Sequence, residues 1–379
     1  MSSATGRAKI EESESLRDAA PPQPARIISL DAFRGAVILF MVLVNNGGGP
    51  ENYHQLEHSS WDGWTATDLV FPSFLWIVGV AITLSLGKRV AMGAGRPALF
   101  RQVMRRSAIL FVLGVCLYLP PQFHFAAMRI PGVLQRIAVC YLVASAIYLT
   151  TRLRGQAIWI IGLMATYWSL MFFVPVPGYG AGHLDLQRNL AHFVDHTVLG
   201  PHNYKEGDWD PEGLLSTLPA IATTLFGIMA GHILRLRRDL AERTTWLFLA
   251  GAVLTAAGVV VNHWMPINKK LWSDSFVLFM AGLDFTIFAA FVWLVDGNNY
   301  RKWTRPFTIV GMNAIAVYLF SEALSILLDA TDAHEWVFDT IFDPMGSPRN
   351  ASLLFALCFV GVTWLFGWAL YKRGWFWKI

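Results

Sequence analysis

The densest set of reactive side chains lies between Gly47 and Asp68, a stretch with His54, His58, Trp61, Trp64 and a glycine triplet but no Lys or Arg. An imidazole in such a loop can move a proton or accept an acyl group, provided its ring is neutral near working pH. His58 is the stronger of the two histidines. Ser59, Ser60, Trp61, Asp62, Gly63 and Trp64 follow it at once, and Asp68 opens the next apolar run. A carboxylate at a helix N-terminus is already favoured by the dipole, so Asp68 has a structural role available as well. His54 reads as a solvated loop histidine.

A second set lies just before this loop. Asp31 and Arg34 are three residues apart and share a helix face. Arg34 and Asn45 fall on nearly one stripe, with roughly 16 Å of rise between them. One face therefore carries a cation at one end and an amide at the other, and a snorkelling ion pair at Asp31 and Arg34 is the plain alternative. Arg136, one turn inside an apolar segment, needs a partner, and Asp68 at matching depth is the expected one. Asp284, Asn313 and Glu322 sit inside later apolar segments, where polar groups face a cavity or one another. The stretch 176–211 holds His183, Asp185, His192, Asp195, His196 and His202. It contains no His-Glu-x-x-His pattern, so a cover over the bundle is expected in preference to a metal site.

The elements that must position these residues are membrane helices. Of 379 residues 55% are hydrophobic and only 15% charged, which sets the chain apart from soluble domains. A span needs roughly 20 apolar residues, and about ten candidates follow at 29–46, 68–87, 104–120, 131–150, 156–175, 212–235, 244–262, 275–296, 306–329 and 350–371. Lys and Arg test that list independently. Alternate connections carry 22 of the 30 and the intervening ones 6; the remaining two are Arg34 and Arg136. Cytoplasmic loops should be the basic ones, so the expectation is an all-α polytopic bundle with both termini cytoplasmic. The His58 loop then lies on the outer side. Residues 1–25 read as a disordered cytoplasmic tail with no cleavage site, and 26–379 as one membrane domain. The net charge of +4 reflects this orientation signal and gives no reason to invoke nucleic acid. Cys116, Cys140 and Cys358 lie in apolar segments and read as small core residues. Trp and Phe near the span ends suit an interfacial belt among membrane lipids.

Several stretches resemble the transmembrane acetyltransferases related to heparan-α-glucosaminide N-acetyltransferase. They are Ser29-Leu-Asp-Ala-Phe-Arg-Gly35, Val44-Asn-Asn-Gly-Gly-Gly49, the run from His58 to Pro72, Arg129-Ile-Pro-Gly-Val-Leu-Gln-Arg136, Asp210-Pro-Glu-Gly213, Asn268-Lys-Lys-Leu-Trp-Ser273 and Gly311-Met-Asn313. The resemblance implies an integral-membrane acyltransferase that moves acetyl from cytosolic acetyl-CoA to an amino sugar or glycan on the outer side. The family's active histidine falls on His58 and its nearby asparagine on Asn45. Acetyl-histidine and direct transfer both stay open. Family likeness also implies a homodimer and, for a bacterial-type member, the inner membrane. Asp62 stands where relatives often have Asn, and the lumenal N-terminal portion of the lysosomal enzyme has no counterpart; both bear on the acceptor.

Residues and resemblance together suggest a scheme. The CoA phosphates bind near Arg34 and Arg26, with Asp31 and Asn313 completing the cofactor end. The pantetheine arm runs along the stripe to Asn45, which donates to the thioester oxygen, while His58 acts as base or acetyl carrier. Asp68, Arg136, Asp284 and Trp61 support the structure or the substrate, and no metal is called for. The rival reading is a transporter or channel for a small polar solute in the same cavity. It would be favoured by paired broken helices or an internal repeat, and neither is legible. A non-catalytic scaffold would leave His58 without purpose.

Overall fold

The computed structural model describes residues 27–119, 123, 125–204 and 209–377. The tail 1–25 and Arg26 lie outside the described residues. Thirteen α-helices are seen among them, with no strand beyond an isolated bridge between Val176 and Gly180. In chain order they are α1 (Ile28–Asn45), α2 (Val70–Ala91), α3 (Arg96–Leu117), α4 (Val133–Thr150), α5 (Leu153–Phe173), α6 (Leu190–Leu199), α7 (Thr217–Leu234), α8 (Leu240–Val261), α9 (Asp274–Phe291), α10 (Arg305–Gly311), α11 (Ala314–Ala330), α12 (Ala333–Val337) and α13 (Pro348–Lys372).

All ten expected spans are helical, but not all are equally apolar. Among the described residues eight helices are long and apolar enough to cross a membrane, and a ninth is added if α10 and α11 form one bent span. The tenth, α3, carries Arg96, Arg101, Arg105 and Arg106 in its first three turns, so its apolar part is short. The expected continuous span 306–329 is corrected: α10 and α11 meet at 84° around Met312 and Asn313. Arg34 of α1 donates to the Gly311 carbonyl at 3.2 Å, where the break leaves an acceptor outside regular helix.

Close approach of small residues fixes the frame that carries the site. A Cβ on Gly35 of α1 would stand 1.8 Å from the Phe307 carbonyl oxygen, and one on Gly79 of α2 would stand 1.9 Å from that of Thr224 on α7. These crossings bring backbones into contact, which is how helices associate where lipid removes the hydrophobic drive. Between them lies the core, with Trp76 fully buried against Phe285 and Phe288, each 5.3 Å away between ring centroids. Cys140 is buried as expected; Cys116 and Cys358 are exposed, which corrects their reading as core residues. The turns immediately around them are apolar on all sides, so hydrophobicity cannot separate a lipid-facing side from a core-facing one.

Candidate active site

The loop before α2 is held by its own sequence. Thr65 and Asp68 form a capping box, in which the Asp68 carboxylate accepts the Thr65 amide at 3.0 Å. This box opens a 3-10 turn, Ala66–Leu69, that runs directly into α2. Asp68 is almost completely buried, with 1% of its side chain exposed, and also accepts the Ser59 amide at 3.1 Å. The other carboxylate oxygen is thereby turned to His58, whose Nδ1 lies 2.7 Å away. The imidazole itself is half exposed. A buried carboxylate accepting Nδ1–H fixes the tautomer and makes Nε2 the accepting nitrogen of the ring.

A third group completes the cluster. Lys269, on the loop between α8 and α9, places Nζ 3.0 Å from Nδ1 and 3.2 Å from Nε2 of His58, and 3.7 Å from Asp68 Oδ1. With Nδ1–H committed to Asp68, Nε2 is the ring nitrogen able to accept from this ammonium. Two other contacts hold the loops together: Gly63 donates its amide to the Ile267 carbonyl at 2.7 Å, and Asn268 donates to Asp62 at 3.2 Å. Lys270 also donates to the Ser60 carbonyl. Asp62 supplies an oxygen that an asparagine would supply equally well, so this departure from the family pattern leaves the loop contact intact. Burial pushes the Lys269 pKa below its usual value, against the opposing pull of Asp68. No composition signal marked Lys269 as part of the site, although basic residues are scarce on that side of the bundle.

The described parts of the outer stretch 176–211 reach this region. Trp61 donates its indole N–H to the Leu184 carbonyl at 3.1 Å, and Lys270 lies over the Trp61 and Trp209 rings at 5.8 and 5.3 Å. Arg129 forks onto Asp210 at 2.6 and 2.9 Å and also meets Glu212. Burial works against its charge, but those two carboxylates outweigh it and raise its pKa. Burial likewise pushes Asp195 of α6 up to about 7, while its carboxylate accepts the Leu214 amide at 2.7 Å. His192 and His196 stack at 6.2 Å, and among the described residues no three potential ligands converge to hold a metal.

The expected Asp68–Arg136 pair is not formed. Asp68 is committed to His58 and to the capping amides. Arg136 donates instead to the Gly213 carbonyl at 2.9 Å and to Ser216, with its guanidinium 5.1 Å above the Trp272 ring. Matching depth identified the level of a partner but not the side of the helix it stands on. Asp284 receives a hydrogen bond from Ser73 at 2.5 Å and is fully buried. Asn313 accepts the Trp377 amide at 3.1 Å. Glu322, with Gln135 and Tyr118, lines a smaller cavity of about 230 Å³.

A cavity of about 720 Å³ begins at the basic side. Arg34, Arg89, Arg105 and Arg106 line it with Gln102, and Ile38, Met41, Phe74 and Ile77 form an apolar shaft. Its volume is in the range of small-molecule sites. On α1 the lining positions Arg34, Ile38 and Met41 follow the stripe whose next member is Asn45. Asn45 is exposed at the end of α1, and neither it nor His58 lines the cavity. Asp31 pairs with Arg34 at 3.2 Å. Arg89, Arg105 and Arg106 were visible in sequence only as part of the cytoplasmic charge excess.

A model of the catalytic region of heparan-alpha-glucosaminide N-acetyltransferase matches residues 26–240, more than half of the chain. The chain belongs to this family. The matched region contains His58, Asp68, Arg129 and the basic mouth of the cavity, whereas Lys269 lies beyond it. The mouse heparan-alpha-glucosaminide N-acetyltransferase is 30% identical over 93% of this chain and 60% of its own length. The human one is 31% identical over 79% of this chain and 53% of its own. The chain thus spans little more than half the length of these curated relatives. Family membership and the helical bundle agree on an integral membrane protein.

Proposed function

We propose that the protein is a membrane acetyltransferase that takes acetyl from cytosolic acetyl-CoA and passes it to an amino sugar or glycan on the outer side. The observation that carries this reading is the hydrogen bond from His58 Nδ1 to the buried Asp68. It leaves Nε2 able to accept the acceptor amine's proton, or the acetyl group itself. An amine must lose a proton as it attacks a thioester, and a positioned imidazole does this near neutral pH.

The large cavity supports the donor half. Phosphates suit guanidinium forks, and Arg34, Arg89, Arg105 and Arg106 offer four beside an apolar shaft suited to a pantetheine arm. The shaft follows the α1 stripe whose next member is Asn45, and in this reading its amide donates to the thioester oxygen once the arm reaches it. His58 is outside the cavity lining, so the arm must displace side chains between Met41 and the outer end of α1 before acetyl reaches the ring. A single break at α10–α11 faces the same cavity. Among the described residues it has no paired counterpart of the sort transporters use, and Arg34 occupies its free carbonyl. A homodimer in a bacterial inner membrane is part of the same reading, on family likeness.

The test uses inside-out vesicles carrying the protein, with labelled acetyl-CoA outside and glucosamine inside. Label on the sequestered sugar is expected. If purified protein neither binds CoA nor labels glucosamine, while the same vesicles move a polar solute, the transporter reading replaces this one.

A further inference from the structure

We infer that Lys269 is a self-acetylation site, the first amine to receive acetyl delivered to His58 when no acceptor is bound. The inference rests on the acetyltransferase reading above. Nζ of Lys269 stands against the His58 ring, at 3.0 and 3.2 Å from its two nitrogens. An acetyl group held beside Nε2 is therefore within reach of this side chain after a small torsional change. Gly63 to Ile267 and Asn268 to Asp62 fasten the two loops, so the backbones that carry the lysine and the ring stay apposed.

Lysine is nucleophilic only as the free amine. Its side chain is 15% exposed, and burial lowers its pKa against the attraction of Asp68, which favours proton loss. Nε2 of His58 is close enough to take that proton. In the transfer, Nζ forms a bond to the thioester carbonyl carbon and the carbon–sulfur bond breaks. The thiolate leaves with the proton held by His58, giving acetyl-Lys269, CoA-SH and one proton released from the original ammonium. No further reactant is needed. The modification removes the charge beside Asp68 and fills the space before the imidazole, so it switches off the enzyme when donor is plentiful and acceptor scarce.

Lys270 provides an internal control. It is the next residue, but its ammonium lies over the Trp61 and Trp209 rings and donates to the Ser60 carbonyl. The experiment incubates full-length protein with carbon-13 acetyl-CoA, without acceptor, and maps label by peptide mass spectrometry. Label on Lys269 well above Lys270, at least tenfold, is expected, and glucosamine added at the start should suppress it. Wild-type turnover should decline with preincubation time, while Lys269→Arg, which keeps a cation but resists acetylation, should hold whatever activity it starts with. Turnover of glucosamine with Lys269 unlabelled, or with Lys269 and Lys270 labelled equally, overturns the inference and leaves the enzyme reading standing. Absence of both label and turnover in the wild type overturns the enzyme reading, and the inference with it.

Discussion

Replacing Asp68 with Asn separates the ring-positioning role of this residue from its capping role. One carboxylate oxygen accepts the Ser59 and Thr65 amides at 3.1 and 3.0 Å, and the other faces His58 Nδ1 at 2.7 Å. A carboxamide keeps one acceptor, which the two amides will claim, and turns its NH2 toward the ring. Nδ1 must then accept, the ring proton moves to Nε2, and the base is lost. A charge-assisted hydrogen bond is worth about 1.5–3 kcal/mol. At about 1.36 kcal/mol per tenfold in rate, kcat should fall roughly 10- to 150-fold. KM for acetyl-CoA should stay put, because Asp68 is not among the cavity lining. Asp68→Ala also removes the cap, so it should lose about 0.5–2 kcal/mol of stability in addition. The assay is labelled acetyl transfer to glucosamine in detergent micelles, with thermal unfolding alongside. An Asp68→Asn protein with wild-type kcat would refute the tautomer argument.

Arg34→Gln should raise the dissociation constant for CoA about tenfold, the loss of one charge-assisted hydrogen bond, with kcat nearly unchanged; calorimetric titration with CoA checks this, and unaltered affinity counts against the basic mouth as the phosphate site. Asp195 gives a pH signature. Because burial raises its folded pKa to about 7, the fold retains a proton that the unfolded chain has already released. Stability from this group is full below about pH 4 and is lost as pH rises through 7. The melting temperature of wild type should therefore fall relative to Asp195→Asn between pH 4 and 7, and the gap should stop widening above that.

The spans were legible because a membrane helix is a long run of apolar residues, and the charge alternation checked their number from unrelated residues. Arg34 at a cavity was legible too, since helical spacing places Ile38, Met41 and Asn45 on its stripe. Lys269 was not: it stands 211 positions from His58 in sequence, and only the docking of two outer loops unites them. Asp68 was misassigned to Arg136 because sequence depth fixes height along a helix and not direction around the bundle. The break at Asn313 was hidden for another reason. Val-Gly-Met-Asn contains no proline, so the apolar run reads as continuous while the chain turns within it.

The most direct test of the central claim is the turnover of His58→Ala under saturating acetyl-CoA and glucosamine, with CoA affinity measured on the same sample. General-base catalysis is worth on the order of 10²–10⁴-fold, so a loss of that size with unchanged CoA binding is predicted. Wild-type turnover in the His58→Ala protein would contradict the account.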